Sequence, residues 1–350
     1  MQLLDDQNAA EFLRARGWLE PGEPVQIETL PGGVSNQVLY VSRSGNSPQN
    51  FVLKQVRAQL RVADPWFSQI ERIWREVEVL RVCHELLSHD ADASLRVTLP
   101  TILHEDRDEY VFTMTAAPRE HTVWKRELLE ERIDPEIAHQ CGRLLGQLHA
   151  RSWHHPQVEQ RLRDTSIFDE LRLDPYYRQV AARHPDAAPL LHTLIESTQQ
   201  NHHALVHADF SPKNLLLAEQ TLMMVDFETG HYGDPAFDLG FFLSHLVLKA
   251  VHLAPRYKPY LDLTRQFWRG YRSELWCRIP AADSAALEAR GVQHFAGCFW
   301  ARVDGKSPVE YLRDEARRDY VRTVARSLLT DPPTTWSGVL ERLPAPAFHS

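Results

Sequence analysis

The chain has 350 residues, of which 43% are hydrophobic and 25% charged, with a formal net charge of -8. That length exceeds one compact core and predicts two lobes, while the ordinary globular composition leaves no disordered arm. Lys and Arg are spread among Asp and Glu rather than gathered, which argues against a nucleic-acid partner.

Cys83, Cys141, Cys277 and Cys298 stand too far apart for a C-x-x-C pair, so reduced thiols in the cytoplasm are expected. The acidic start MQLLDDQN lacks the basic and apolar regions of a signal peptide, and no apolar run reaches membrane-spanning length.

In chain order, helical spacing between Asn8 and Arg16 predicts a short leading helix, stopped by Pro21, Gly22 and Pro24. VQIETL from Val25, QVLYV ending at Val41 and FVLKQV from Phe51 read as antiparallel strands, the first two joined by PGGVSN. In SQIERIWREVEVLRVCHELL, Ile70, Ile73, Val77 and Leu80 fall on one face, the pattern of a helix packed on that sheet. RVTLPTILHE and EYVFTMT are two further strand candidates, and the Ala116-Ala117-Pro118 break closes the strand-rich part. The expected boundary divides residues 1–117 from a helical lobe, 118–350.

Beyond it, Asp134-Pro135 pairs a helix N-cap with a first-turn proline, followed by an apolar face through Ile137, Cys141, Leu144, Leu145 and Leu148. Another helix is expected over Ala188 to Ser197. The stretch LVHADFSPKNLLLAEQTLMMVDFETG, Leu205 to Gly230, sets a polar loop before a β-hairpin whose turn is Ala218 to Thr221. Gly233-Asp234-Pro235 then caps the apolar helix AFDLGFFLSHLVLKA, and the chain from Pro255 is mostly helical by pattern.

Phosphoryl transfer from ATP needs a lysine on the nucleotide phosphates, a carboxylate holding that lysine, a base for the accepting hydroxyl, and oxygen ligands for Mg²⁺. Candidates occur in that order: Lys54, then Glu76 or Glu78, then Asp209, Asn214 and Asp226. The spacing of Asp209 and Asn214 is that of the protein-kinase catalytic loop, and Asp226-Phe227-Glu228 stands where a second metal-binding Asp is expected. Singly, each has a plainer explanation: Lys54 as a solvated edge residue, Glu76 on the wet side of its helix, Asp209 and Asn214 as turn formers, Asp234 as an N-cap. Their conjunction in order, spacing and strand context points to a kinase.

On these motifs the chain resembles the aminoglycoside phosphotransferase and choline kinase group of small-molecule kinases, over about Val25 to Lys249. Within the group, the LPGGVSN loop and the RVADPWF segment are similar to 5-methylthioribose kinase relatives. The resemblance implies an α+β, protein-kinase-like two-lobe fold. Residues 1–117 would form a small antiparallel-sheet nucleotide-binding lobe with one helix, and 118–350 a larger, mostly helical lobe with the catalytic loop and substrate pocket. It also implies ATP and Mg²⁺ as cofactors, with Asp209 as the base, Asn214 and Asp226 as metal ligands, Lys54 on the phosphates and Glu76, or in competition Glu78, as its holder. Backbone groups from Thr115 to Ala117 would surround adenine. Ala208 replaces the Gly common in the group's HGD motif. Only Gly32-Gly33 stands in the first loop, so phosphate contacts would fall to backbone amides and Ser35.

The Gly233-Asp234-Pro235 helix start follows Asp226 within a few residues, leaving little room for a peptide platform, and Glu228 replaces the Gly of D-F-G. The expected acceptor is therefore a small, sugar-like molecule rather than a protein. Glu228, and Arg302, Asp304 and Lys306 around the turn after a helix ending at Phe299-Trp300, are candidates to hold it. That turn also reads as a capped link between surface helices. Trp268, Trp276 and Trp300 offer a cage for a quaternary ammonium or plain core. The pairs His154-His155 and His202-His203 lack ligand spacing and read as surface or loop. The rival readings are an aminoglycoside or macrolide kinase and a nucleotide-binding pseudokinase. The basic balance of PRYKPYLDLTRQFWRGYRSELWCR disfavours a polycationic acceptor, and the retained lysine and two aspartates favour catalysis.

Overall fold

A computed structural model describes residues 2–30, 35–44, 49–57, 59–60, 68–87, 96–254 and 257–346. The Gly32-Gly33 loop and the RVADPWF segment lie outside these residues.

The strand-rich part begins with α1 (Ala9–Ala15), β1 (Val25–Thr29), β2 (Asn36–Arg43) and β3 (Phe51–Val56), followed by α2 (Arg72–Leu86). After β4 (Arg96–Thr98), β5 (Ile102–Asp106) and β6 (Val111–Thr115) complete an antiparallel sheet of order β1-β2-β3-β6-β5. Its β-branched and aromatic residues alternate between two buried faces. Leu39, Val41, Leu53 and Val111 pack with Leu13 of α1. Tyr40, Val52, Phe112 and Met114 pack with Ile73 and Val77 of α2.

RVTLPTILHE is not one strand. Pro100 lacks an N–H and restricts Leu99, so the ladder breaks there. Its first half, β4, pairs in parallel with the hairpin strand Thr221–Met224, while β5 stays in the first sheet.

The helical part runs through β7 (Thr122–Val123), α3 (Trp124–Leu129), α4 (Pro135–Ser152), α5 (Pro156–Leu162) and α6 (Ser166–Phe168). Wide π-helical turns over Asp169–Arg178 lead into α7 (Gln179–Arg183) and α8 (Ala188–Gln200). Then come β8 (Ala204–Val206), a 3₁₀ turn at Pro212–Asn214, β9 (Leu215–Ala218), β10 (Thr221–Met224) and β11 (His231–Gly233). Among the described residues five helices follow: α9 (Ala236–His252), α10 (Tyr257–Leu275), α11 (Ala281–Asp304), α12 (Glu315–Thr330) and α13 (Trp336–Arg342).

The Asp134 carboxylate accepts from Glu136 N at 2.8 Å, the cap its sequence announced. Helix α9 is buried on every side from Ala236 to Val251, as its continuous apolar run requires. Helices α4 and α10 approach so closely that a Cβ on Gly142 would lie 2.0 Å from Phe267 O, and one on Gly270 2.1 Å from His139 O. This packing fixes the floor beneath the loop between β8 and β9.

Helix α11 continues to Asp304 instead of ending at Phe299-Trp300. Trp268 and Trp276 pack edge to face at 5.4 Å, whereas Trp300 is buried against His184 and Arg326, so the three form no common cage. All four cysteines are free, three of them buried. Among the described residues no helix is long and apolar enough to cross a membrane.

Candidate active site

Lys54 projects from the middle of the sheet, and its Nζ lies 2.5 Å from Glu76 Oε1 and 3.3 Å from Asp226 Oδ1. Helical phase decides between the two glutamates. Glu76 lies with Ile73, Val77 and Leu80 on the buried side of α2, whereas Glu78 turns outward to Arg161 at 2.6 Å. Burial works against the Lys54 charge, but Glu76, Asp226 and Glu228 overcome it and raise its pKa. Burial, reinforced by Asp226 and Glu228, raises the Glu76 carboxyl against the pull of Lys54.

The loop after β8 is tied down from below. Asp238, fully buried in the first turn of α9, accepts from His207 N and Ala208 N, both at 2.7 Å. His149 Nε2 lies 3.3 Å from the same carboxylate, and its Nδ1 is 2.8 Å from Tyr271 OH. Ala208 has φ +60°, a left-handed conformation that costs a non-glycine residue roughly 1–2 kcal/mol. That conformation explains the Gly of the HGD motif, and the two bonds from Asp238 hold Ala208 there.

Asp209 is consequently presented with both carboxylate oxygens engaged. Asn214 Nδ2 donates to Asp209 O at 3.0 Å and to Oδ2 at 2.8 Å. Arg172 meets Oδ1 at 2.8 Å while its Nε donates to Ala208 O at 2.6 Å, and the half-exposed Lys213 meets Oδ2 at 2.8 Å. Burial pushes Asp209 up, but Arg172 and then Lys213 outweigh it and hold the carboxyl far below the usual range. It is ionised at neutral pH.

Asp226, at φ +72°, keeps its side chain 28% exposed toward the cavity, and Phe227 packs on His207 with ring centroids 5.0 Å apart. Glu228 is held by Ser35 Oγ at 2.5 Å, Asn36 Nδ2 at 2.9 Å and Arg72 Nε at 3.5 Å. Burial and then Asp226 raise its pKa. The Ser35 hydroxyl, expected on a phosphate, is thus directed to Glu228.

Of these groups Ser35, Asn36, Lys54, Arg172, Asp209, Lys213, Asp226 and Glu228 line a cavity of about 150 Å³. Lys54, Asp226 and Glu228 form one end; Tyr176, His245, Arg302 and Ser307 form the other; Asp209 and Arg172 lie between. Thr115 ends β6, where it exchanges hydrogen bonds with Thr101, and neither it nor Ala117 lines this cavity.

Asp304 and Lys306 do not join Arg302. Asp304 faces the opposite side of α11, bound to His184 at 2.7 Å, Trp300 at 3.0 Å and Arg322 at 2.9 Å. Burial opposes its charge, yet Arg322 and the other donors bring its pKa down to about 2. Lys306 pairs with Asp174 at 3.0 Å on the surface.

Arg172 and Arg72 carry no sequence signature, since each is aimed from a distant segment. The π-helical turns re-aim Arg172, a common device at functional sites. Lys213 had a local signal, standing beside Asn214 in the loop.

Among the described residues no three His, Cys, Asp or Glu side chains form a ready metal cage. The hard oxygens of Asp226 and of the Asn214 side chain instead suit a cation that takes one or two protein ligands and completes its shell with phosphates and water.

A family model described as the phosphotransferase enzyme family matches residues 26–272. Methylthioribose kinase of Erwinia tasmaniensis is 25% identical, covering 93% of this chain and 86% of its own length. Among solved structures, amicoumacin kinase in complex with AMP-PNP, Ca²⁺ and Ami has a TM-score of 0.55 at 15% identity, covering 95% of this chain and 96% of that one. Choline kinase of Cryptosporidium parvum also gives 0.55, at 14% identity, covering 97% and 99%. These structures share the protein-kinase-like fold, a small antiparallel sheet with a helix preceding a larger helical part.

Proposed function

The chain belongs to the phosphotransferase enzyme family and is a small-molecule kinase; from that premise we propose that it transfers the γ-phosphoryl group of ATP, with Mg²⁺, to a hydroxyl of a sugar-like molecule. In this reading residues 1–117 hold the nucleotide and 118–350 the acceptor. The observation that carries it is Asp209, buried at a cavity's midpoint, ionised by Arg172 and Lys213, and linked through Asn214 to the metal side.

Asp209 accepts a hydrogen bond from the acceptor hydroxyl and orients its oxygen for attack. Because its pKa is depressed it is a weak base, so it takes the proton late, as the O–P bond forms. Lys54, fixed by Glu76, reaches the phosphates, and Lys213 stands beside Asp209 where charge develops during transfer. Asn214 and Asp226 would hold the Mg²⁺, which would supply charge neutralisation at the phosphate oxygens. Thr115 and Ala117, at the exit of β6, flank adenine.

The methylthioribose kinase relative, similar along nearly its whole length, supports a sugar-like acceptor. Cations outnumber carboxylates four to three along the cavity, Lys54, Arg172, Lys213 and Arg302 against Asp209, Asp226 and Glu228, which weighs against an aminoglycoside.

The test is ADP formation from ATP and Mg²⁺ with 5-methylthioribose, other pentose and polyol acceptors, choline and aminoglycosides. Turnover is expected with a sugar-like acceptor, lost on chelation of the metal and restored by Mg²⁺. Turnover confined to aminoglycosides or choline would overturn the acceptor assignment.

A further inference from the structure

Resting on the kinase reading above, we propose that the acceptor carries a carboxylate as well as the reacting hydroxyl, a polyhydroxy acid whose acid group is seated between Arg302 and His245.

The two residues reach the cavity from different helices, Arg302 from the last turn of α11 and His245 from the middle of α9. Arg302 spends one terminal nitrogen on Tyr176 OH at 3.1 Å and on Ser307 O, while its Nε is buried without a hydrogen-bond partner. His245 is 6% exposed, and its Nε2 is likewise buried and unpartnered. One turn along α9, Lys249 is 1% exposed and donates to His245 O at 3.1 Å.

Among the described residues no carboxylate lies within ion-pair distance of Arg302 or Lys249. The acids nearby make their ion pairs elsewhere, Glu310 with Lys125 and Asp209 with Arg172 and Lys213, and Glu310 attracts Arg302 and Lys249 only from beyond ion-pair distance. Low-dielectric positive charge without a counter-ion, and buried donors without acceptors, are costly in a protein interior. A carboxylate meets both needs, since its two oxygens accept from the Arg302 guanidinium and from the His245 ring. Burial and the surrounding cations, Arg302 first among them, keep His245 neutral, so it offers one N–H and adds no repulsion of its own. With the acid anchored there, a hydroxyl on the same molecule faces Asp209. A neutral sugar leaves the Arg302 charge uncompensated, and a cationic acceptor adds to it.

The experiment is calorimetric titration of the full chain, saturated with ADP and Mg²⁺, using glycerate, ribonate and gluconate beside glycerol, ribose and glucose. At least one acid is expected to bind about 10-fold or more tightly than its neutral partner. In Arg302→Gln that preference falls away, and in His245→Phe it weakens, while ADP with Mg²⁺ still raises the melting temperature of both variants and so shows them folded. Equal binding of acids and neutrals, no binding by any acid, or a preference surviving Arg302→Gln overturns the proposal. Acid preference without ADP formation from ATP sinks the kinase reading instead and leaves the anion site standing.

Discussion

Lys54 and Arg302 face the same cavity, yet Lys54 lies between two carboxylates, Glu76 at 2.5 Å and Asp226 at 3.3 Å, while among the described residues Arg302 meets a tyrosine hydroxyl and ring and a backbone carbonyl but no carboxylate within ion-pair distance. Arg72, behind the Lys54 end, has Glu228 in the same way. At the nucleotide end the protein supplies its own counter-charges, so the geometry is set before any ligand arrives. At the acceptor end the compensation comes from the ligand, which makes that end the seat of specificity.

The comparison breaks most severely at Glu76. Glu76→Gln leaves Lys54 buried without its nearest counter-charge, and chemical denaturation should show a loss of about 3–5 kcal/mol. Glu78→Gln touches only a partly exposed pair with Arg161, for which about 1 kcal/mol or less is expected. Equal losses would mean that Lys54 is not held through Glu76.

A smaller effect sharpens the acceptor side. Burial, then repulsion from Lys125, pushes Lys249 down to about 7, against about 10.4 for a solvated lysine. Between those values the unfolded chain binds more protons than the folded one, so stability rises with pH across the window; below it the buried charge destabilises in full. Lys249→Met is therefore expected to stabilise by about 1–3 kcal/mol at pH 6.5, with the gain vanishing near pH 10. A gain independent of pH would show Lys249 to be compensated.

The smallest effect lies between the two ends. Ala208→Gly relieves a left-handed alanine and should raise stability by about 0.5–1 kcal/mol, part of the relief being offset by glycine's greater backbone entropy. A loss would indicate that the Ala208 methyl contributes more in the core than its conformation costs.

The legible part of the site is the part whose geometry is local. Asp209 and Asn214 share one loop and Asp226 ends the following hairpin, so fixed spacing reports fixed position. Glu76 was separable from Glu78 only by helical phase, and the apolar face of α2 contains that information. Arg172 and Arg72 were illegible because π-helical turns and helix packing aim them from far along the chain. Asp304 and Lys306 show the converse error. Two residues apart on a helix means roughly 200° of rotation, so closeness to Arg302 in sequence placed Asp304 on the opposite face. Pro100 carried a signal of its own, and it divides the predicted strand between two sheets.

The most direct test of the central claim is single-turnover transfer of labelled γ-phosphoryl from ATP to the best acceptor, in the wild-type chain and in Asp209→Asn. A fall of about 10²–10⁴-fold, with stabilisation by ADP and Mg²⁺ unchanged, is predicted for a positioned base at this site. Transfer at the wild-type rate would contradict it and remove Asp209 from the chemistry.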